Sequence, residues 1–196
     1  EFLGLPSRSS KSYNAFFHQH LFRHINANPD NIHLLQGEPP GDIVSYCHSY
    51  ERLIRDRGGI DVQLLGIGIN GHLAFNEPMS SFGSRTRVSL LSAETRERLS
   101  RTFNETVVPE WAVTMGLATI AEARALLMLA FGKEKAQAIA QAVEGPLTAA
   151  VPASSIQLHS HAVVILDSEA AGDLKFKTYY QEQSSHLEML LPRGLA

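Results

Sequence analysis

Residues 66–78 read GIGINGHLAFNEP, which sets a histidine on a glycine-rich turn and a carboxylate five positions later, just before a proline. Imidazole is the side chain whose ordinary pKa lets it give and take a proton near neutral pH. A neighbouring acid can orient such a ring and favour its charged form, as the acid of a catalytic triad does. His72 and Glu77 are therefore candidates for proton-transfer chemistry, with Asn70 two residues before the histidine as a possible hydrogen-bonding partner. Gly66, Gly68 and Gly71 would let the backbone turn sharply and approach a ligand where a Cβ would collide. By itself the stretch also fits a tight strand exit with a histidine and a carboxylate that merely satisfy a turn.

The elements that must position these residues alternate between strand and helix patterns. A helix is expected over 12–25, a strand over 31–35, and a helix over 41–57 stopped by Gly58 and Gly59. IDVQLLGIG (60–68) reads as a strand buried on both faces, with RTRVSLL (85–91) as another. Ser92 can cap a helix running to Phe103. Strands over 123–132 and 161–167, a helix over 133–145 and a short helix from Ser168 complete the pattern. The aromatic residues of the first helix and Trp111 are expected in the core. Such alternation predicts an α/β fold, a doubly wound, mostly parallel, Rossmann-like sheet. Ligands of these sheets gather beyond the carboxyl ends of strands, which is where GIGINGH lies.

With 196 residues, 44% hydrophobic and 19% charged, the chain fits one domain over 1–196. Its net charge of -3 gives no reason to expect nucleic acid or an anionic membrane as partner. Cys47 is the only cysteine, which rules out an internal disulfide and suits a reducing, cytoplasmic setting. No apolar run approaches the ~20 residues of a membrane span. His20 and His24, and His159 and His161, have spacings seen in metal sites, but no cysteine or carboxylate pattern completes either set.

LLGIGINGHLAFNEPMSSFGSRTR (64–87) resembles the signature of the glucosamine-6-phosphate deaminase family, isomerising deaminases of amino-sugar and N-acetylglucosamine catabolism. EFLGLP (1–6), SYNAFFHQHLFRHI (12–25), KEKAQAIAQAVEG (133–145), SSIQLH (154–159) and LKFKT (174–178) follow in the family's order. The resemblance implies conversion of glucosamine 6-phosphate and water to fructose 6-phosphate and ammonia, a hydrolase or aldose–ketose isomerase type of reaction. It implies no cofactor and no metal, a small amino-sugar phosphate as ligand, and allows a homo-oligomer. His72 matches the ring-opening histidine, Glu77 the carboxylate that orients it, and Arg101 and Lys135 the phosphate-binding cations. Where many members carry aspartate, Asn70 can hold the ring by a hydrogen bond but cannot stabilise imidazolium by charge.

In the family, an aspartate immediately before the residue matching Glu1 moves the proton between C1 and C2. Further strands and a phosphate loop precede it. The resemblance therefore implies that residues 1–196 are the C-terminal portion of a longer enzyme, whose sheet here misses its first strands, and that the isolated chain has little activity. Galactosamine-6-phosphate deaminase of the same family and a non-catalytic sugar-phosphate-binding fragment are the alternatives, with a 6-phosphogluconolactonase more distant.

Serines matching Ser80 and Ser81 and an arginine matching Arg87 bind an N-acetylamino-sugar phosphate activator in allosteric members, helped by a lysine where this chain has Ser89. Loss of that cation should weaken such a site by about 1.5–3 kcal/mol. Steady-state rates are expected to show no strong activation by N-acetylglucosamine 6-phosphate; a sigmoidal curve made hyperbolic by it would contradict this.

Overall fold

A computed structural model of the chain describes residues 1–190. Its strands are β1 (Val62–Gly66), β2 (Arg87–Leu90), β3 (Trp111–Thr114), β4 (Ala125–Ala130) and β5 (Ala162–Leu166). Its α-helices are α1 (Tyr13–His20), α2 (Ile43–Asp56), α3 (Ala93–Phe103), α4 (Leu117–Ala121), α5 (Ala136–Val143) and α6 (Lys177–Leu190). Strands β1, β4 and β5 form a parallel sheet in the order β1-β4-β5, in register through Leu65 opposite Met128 and Leu127 opposite Val163. A separate antiparallel pair joins β2 to β3, with Arg87 opposite Thr114. This is the α/β, mostly parallel architecture that the alternating pattern predicts.

Local chemistry sets most helix ends. Asp42 accepts from the Ser45 amide at 2.8 Å to start α2, and Gly58 and Gly59, both at φ +88°, end it. Ser92 accepts from the Thr95 amide at 3.1 Å to start α3, and Asn104 at φ +53° closes it. The sheet packs one face onto α4, α5 and the turns near Ala153, burying Leu65, Leu126, Met128, Leu117 and Ile139. A second cluster of Phe2, Phe75, Leu91 and Ala112 sits beside the antiparallel pair.

Five expectations are corrected. The first helix stops at His20; Leu21 leaves helical geometry and a 3-10 turn follows over Phe22–His24. Phe16, Phe17, Leu21 and Ile25 are exposed, as is Trp111, so none of them belongs to the core. A short helix depends on packing for its stability, and α1 buries no residue. Residues 31–35 form no strand, and α2 side chains take one backbone group within them and one just after. The Tyr46 hydroxyl accepts from the Gln36 amide, and the Tyr50 hydroxyl donates to the His33 carbonyl. From Ser168 the chain makes turns, not a helix. Asp167 accepts from the amides of Ala170 and Gly132 there, and α6 begins only at Lys177. Finally, β1 is not buried on both faces: Leu65 is covered, but Val62 is 60% exposed and Leu64, Val163 and Ile165 share its open side.

The buried carboxylate of Glu51, 4% exposed, ties α2 to the β2 sheet and to α4. One oxygen accepts from the Thr86 amide at 2.8 Å and from the Thr119 hydroxyl at 2.6 Å, while the other accepts from Arg85 at 2.6 Å. Burial pushes this acid up, but Thr119, Thr86 and Arg85 together bring it below the usual carboxylate range. Replacing it with alanine should cost about 3–5 kcal/mol at pH 7 in urea unfolding, because a buried, hydrogen-bonded charge loses its partners' balance. A folded-state pKa below the unfolded one contributes stability at higher pH, so the cost should shrink as the solution is acidified through that range.

Candidate active site

The carboxyl end of β1 runs directly into the loop that carries His72. A Cβ at Gly68 would lie 2.3 Å from Cε1 of His72, so the imidazole rests against bare backbone that only glycine supplies. Gly71 adopts φ +81°, and a side chain there would also meet Val151. The loop closes through Gly68 N–H to the His72 carbonyl at 2.9 Å and Gly71 N–H to the Gly68 carbonyl at 3.0 Å. Gly66 has ordinary φ and open space where a Cβ would go, so no protein contact requires glycine there.

Nδ1 of His72 stands 3.6 Å from Oε2 of Glu77, an ion-pair contact looser than a full hydrogen bond. Asn70 does not hold the ring. Its carbonyl oxygen accepts from the His72 amide at 3.2 Å and its amide donates to Oε2 of Glu77 at 2.9 Å, so it positions the histidine backbone and the acid together. Nδ1 of His72 and Oε1 of Glu77 are buried without a hydrogen-bond partner among the described residues. Burial pushes Glu77 up, but the His72 ring, then Thr95, and the Asn70 amide outweigh it and hold the carboxyl at about 2. Glu77 is thus a fixed negative charge beside one ring nitrogen, which leaves the other for proton exchange with a ligand.

His72 lies between two cavities. The larger, of 510 Å³, is lined by Gly68, Asn70, His72, Thr95, Arg98 and Lys135 among others. The smaller, of 280 Å³, includes Glu1, Tyr13 and Tyr50. Glu1 accepts from the amides of Tyr13 at 3.3 Å and Asn14 at 3.0 Å, so its carboxylate satisfies the start of α1. Lys135 donates to the Ile67 carbonyl at 2.8 Å, which places its ammonium at the end of β1. Burial, then the charge of Arg98, lowers that amine.

Arg101 is not brought into either cavity. Its side chain is 77% exposed and pairs with Glu97 at 2.5 Å on the outer face of α3. The cavity face carries Thr95, Arg98, Leu99 and Thr102, the i, i+3, i+4, i+7 stripe of one helix side. Sequence reading missed Arg98, although phasing α3 from Thr95 points to it. Ser80, Ser81 and Arg87 also lie outside both cavities. Arg87 donates to Asn76 at 2.7 Å and Ser80 at 3.0 Å, while Ser81 accepts from the Gly83 amide. The paired histidines serve packing and backbone: the His20 ring lies 4.7 Å from that of Phe16, and Nε2 of His159 meets the Ala123 carbonyl at 2.8 Å.

Residues 4–165 match the family model described as glucosamine-6-phosphate isomerases/6-phosphogluconolactonase. The chain belongs to this family. It is 49% identical over 182 residues to glucosamine-6-phosphate deaminase 2 of Bacillus subtilis (strain 168), covering 91% of this chain and 73% of that protein. Identity to the glucosamine-6-phosphate deaminase of Cellvibrio japonicus (strain Ueda107) is 46% over 197 residues, 98% of this chain and 73% of that one. A solved structure of a monomeric glucosamine-6-phosphate deaminase superposes with a TM-score of 0.85 at 40% identity, over 88% of this chain and 72% of that chain. The 6-phosphogluconolactonase of Trypanosoma cruzi, at 22% identity and a TM-score of 0.64, shares the fold. Among the described residues of this family member, no helix is long and apolar enough to cross a membrane.

An NMR titration should find the Glu77 carboxyl half-protonated at about pH 2. That value lies below the unfolded one, so Glu77 stabilises the fold above about pH 4.5 and loses that contribution as pH falls towards 2. Glu77→Gln should therefore cost up to about 3 kcal/mol at pH 7 and almost nothing at pH 2. A titration midpoint near 4.5 would contradict the fixed charge.

Proposed function

We propose that this protein catalyses the isomerising deamination of glucosamine 6-phosphate to fructose 6-phosphate and ammonia, in amino-sugar catabolism. One observation carries the reading: an imidazole backed by an acid held charged shares a single 510 Å³ cavity with a half-buried lysine. The two ends of that cavity suit the two ends of a sugar phosphate.

In this reading His72 gives and takes the proton that opens the pyranose ring, between the ring oxygen and the C1 hydroxyl. Glu77 keeps the imidazole oriented and favours its protonated form in the transition state. Asn70 holds acid and histidine in register, and Gly68 lets the ring and the sugar come close to the backbone. Lys135 receives the phosphate. Its stem is fixed by the Ile67 carbonyl, so little side-chain freedom is lost on binding. The names of the deaminase relatives, at 46–49% identity, support this substrate over a lactone. Buried, unpaired Cys47 suits a reducing compartment, and a cytoplasmic location belongs to the same proposal.

The test is release of ammonia and fructose 6-phosphate by the full encoded protein, with galactosamine 6-phosphate and 6-phosphogluconolactone as competing substrates. Turnover of glucosamine 6-phosphate is expected, and His72→Gln should lower kcat by roughly 10²–10⁴-fold with little change in KM. Preferred turnover of either competitor, or a His72→Gln variant as fast as the parent, would sink the proposal.

A further inference from the structure

The turn that presents Glu77 is held from outside both cavities. Asn76, next to the acid, is fully buried, and its side-chain amide donates to the carbonyls of Leu73 at 3.0 Å and Met115 at 2.8 Å. Its carbonyl oxygen accepts from Nη1 of Arg87 at 2.7 Å. The second arm of the same guanidinium, Nη2, donates to the Ser80 hydroxyl at 3.0 Å. Ser80 in turn donates its backbone N–H to the Glu77 carbonyl at 3.0 Å. One arginine of β2 therefore grips the chain on both sides of Glu77.

The backbone of this turn needs such a grip. Ala74 and Met79 take left-handed geometry, at φ +50° and +74°, on either side of the acid. Non-glycine residues stay in that region only where surrounding contacts fix them. The Met79 amide donates to the Ala149 carbonyl at 2.7 Å and the Phe75 amide to the Thr114 hydroxyl at 3.2 Å, but neither bond fixes Asn76 or Ser80. No ion pair among the described residues includes Arg87, so its charge is engaged by two neutral acceptors. A guanidinium presents its donors in a rigid plane and so fixes the spacing of two acceptors, which an ammonium on a flexible stem does not.

We propose that Arg87 is a positioning residue for the reaction: bonded to Asn76 and Ser80, it fixes the turn and so sets where the Glu77 carboxylate stands against Nδ1 of His72. The proposal rests on the deaminase reading above and deepens it with a residue that lines neither cavity. The charged group facing Glu77 is His72, from the loop after β1, while Asn70 and, from α3, Thr95 add neutral donors. A turn released by Arg87 lets the carboxylate drift from all three. The His72–Glu77 contact is strongest when the ring is protonated during proton transfer, so loosening it should appear in kcat and not in KM.

Arg87→Ala in the full encoded protein should lower kcat for glucosamine 6-phosphate by about 10–100-fold, with KM within about threefold. Arg87→Lys, which can meet one acceptor but not fix both, and Ser80→Ala, which removes one acceptor, should each lose less. NMR titration gives a readout that needs no turnover. The Glu77 midpoint should rise from about 2 towards its ordinary value in Arg87→Ala, and part of the way in the two milder variants. Arg124→Ala, at an exposed arginine paired with Asp61, should move neither kcat nor the midpoint. If Arg87→Ala does not fold, Arg87→Lys and Ser80→Ala decide the matter. A Glu77 midpoint that stays near 2 in folded variants would overturn the proposal even where stability falls, as would a raised KM with kcat unchanged. A parent protein inactive on glucosamine 6-phosphate, whose Glu77 midpoint still rises in Arg87→Ala, would refute the deaminase reading and leave the positioning role standing.

Discussion

The site depends on keeping one carboxylate charged beside one imidazole. A buried acid left alone would take up a proton, because burial disfavours its charged form. Glu77 escapes this through His72, Thr95 and Asn70, which together outweigh the burial. The consequence is a carboxylate held charged beside the imidazole, which in the proposed reading steers the ring's proton exchange. Each supporting group is placed by backbone: Asn70 and His72 by the tight loop after β1, and Thr95 by the start of α3.

In the proposed reading the same economy places the ligand's other end. Lys135 spans from the turn before α5 to the carbonyl of Ile67, the last buried residue of the β1 segment before the glycine loop. A single hydrogen bond therefore couples the cation to the strand that delivers the histidine. On that reading, relative motion of α5 and β1 would change the distance between His72 and Lys135, and the buried cluster that holds Ile139, Leu65 and Met128 together resists it. In the same reading, rigid placement of both ends would let binding energy at the phosphate serve orientation at the reacting carbon.

Farther out, Glu51 performs a comparable task for the fold itself. It gathers Arg85 and Thr86 from one part of the chain and Thr119 from another, so that the antiparallel pair and α4 keep a fixed relation to α2. Asn76 extends this order towards the site: its amide donates to the carbonyls of Leu73 and Met115, and its carbonyl accepts from Arg87. The serine–arginine segment at 80–87 thus braces the residue next to Glu77, although it lies outside both cavities.

Local sequence determined much of this protein. Asp42 and Ser92 begin helices because their side chains accept from nearby amides, and Gly58 and Gly59 end one because left-handed backbone is cheap for glycine. The strand before GIGINGH and the candidate pair His72 and Glu77 were legible for the same reason, since they depend on neighbours within a few residues. What depended on distant parts of the chain was not legible. Residues 31–35 look like a strand, but Tyr50 takes the His33 carbonyl and Tyr46 the Gln36 amide just beyond, and Phe16 and Phe17 of α1 look like core, but both stay exposed. Glu51 reads as an ordinary helix-surface acid until two separate segments converge on it. Asn70 could be paired with His72 by spacing, yet only the folded loop decided that it holds the backbone and the acid in place of the ring. Arg98 and Arg101 are three residues apart with identical chemistry; the rotation of α3 against β1 and α5 decided which one meets the cavity, because that angle is set by packing and not by either arginine.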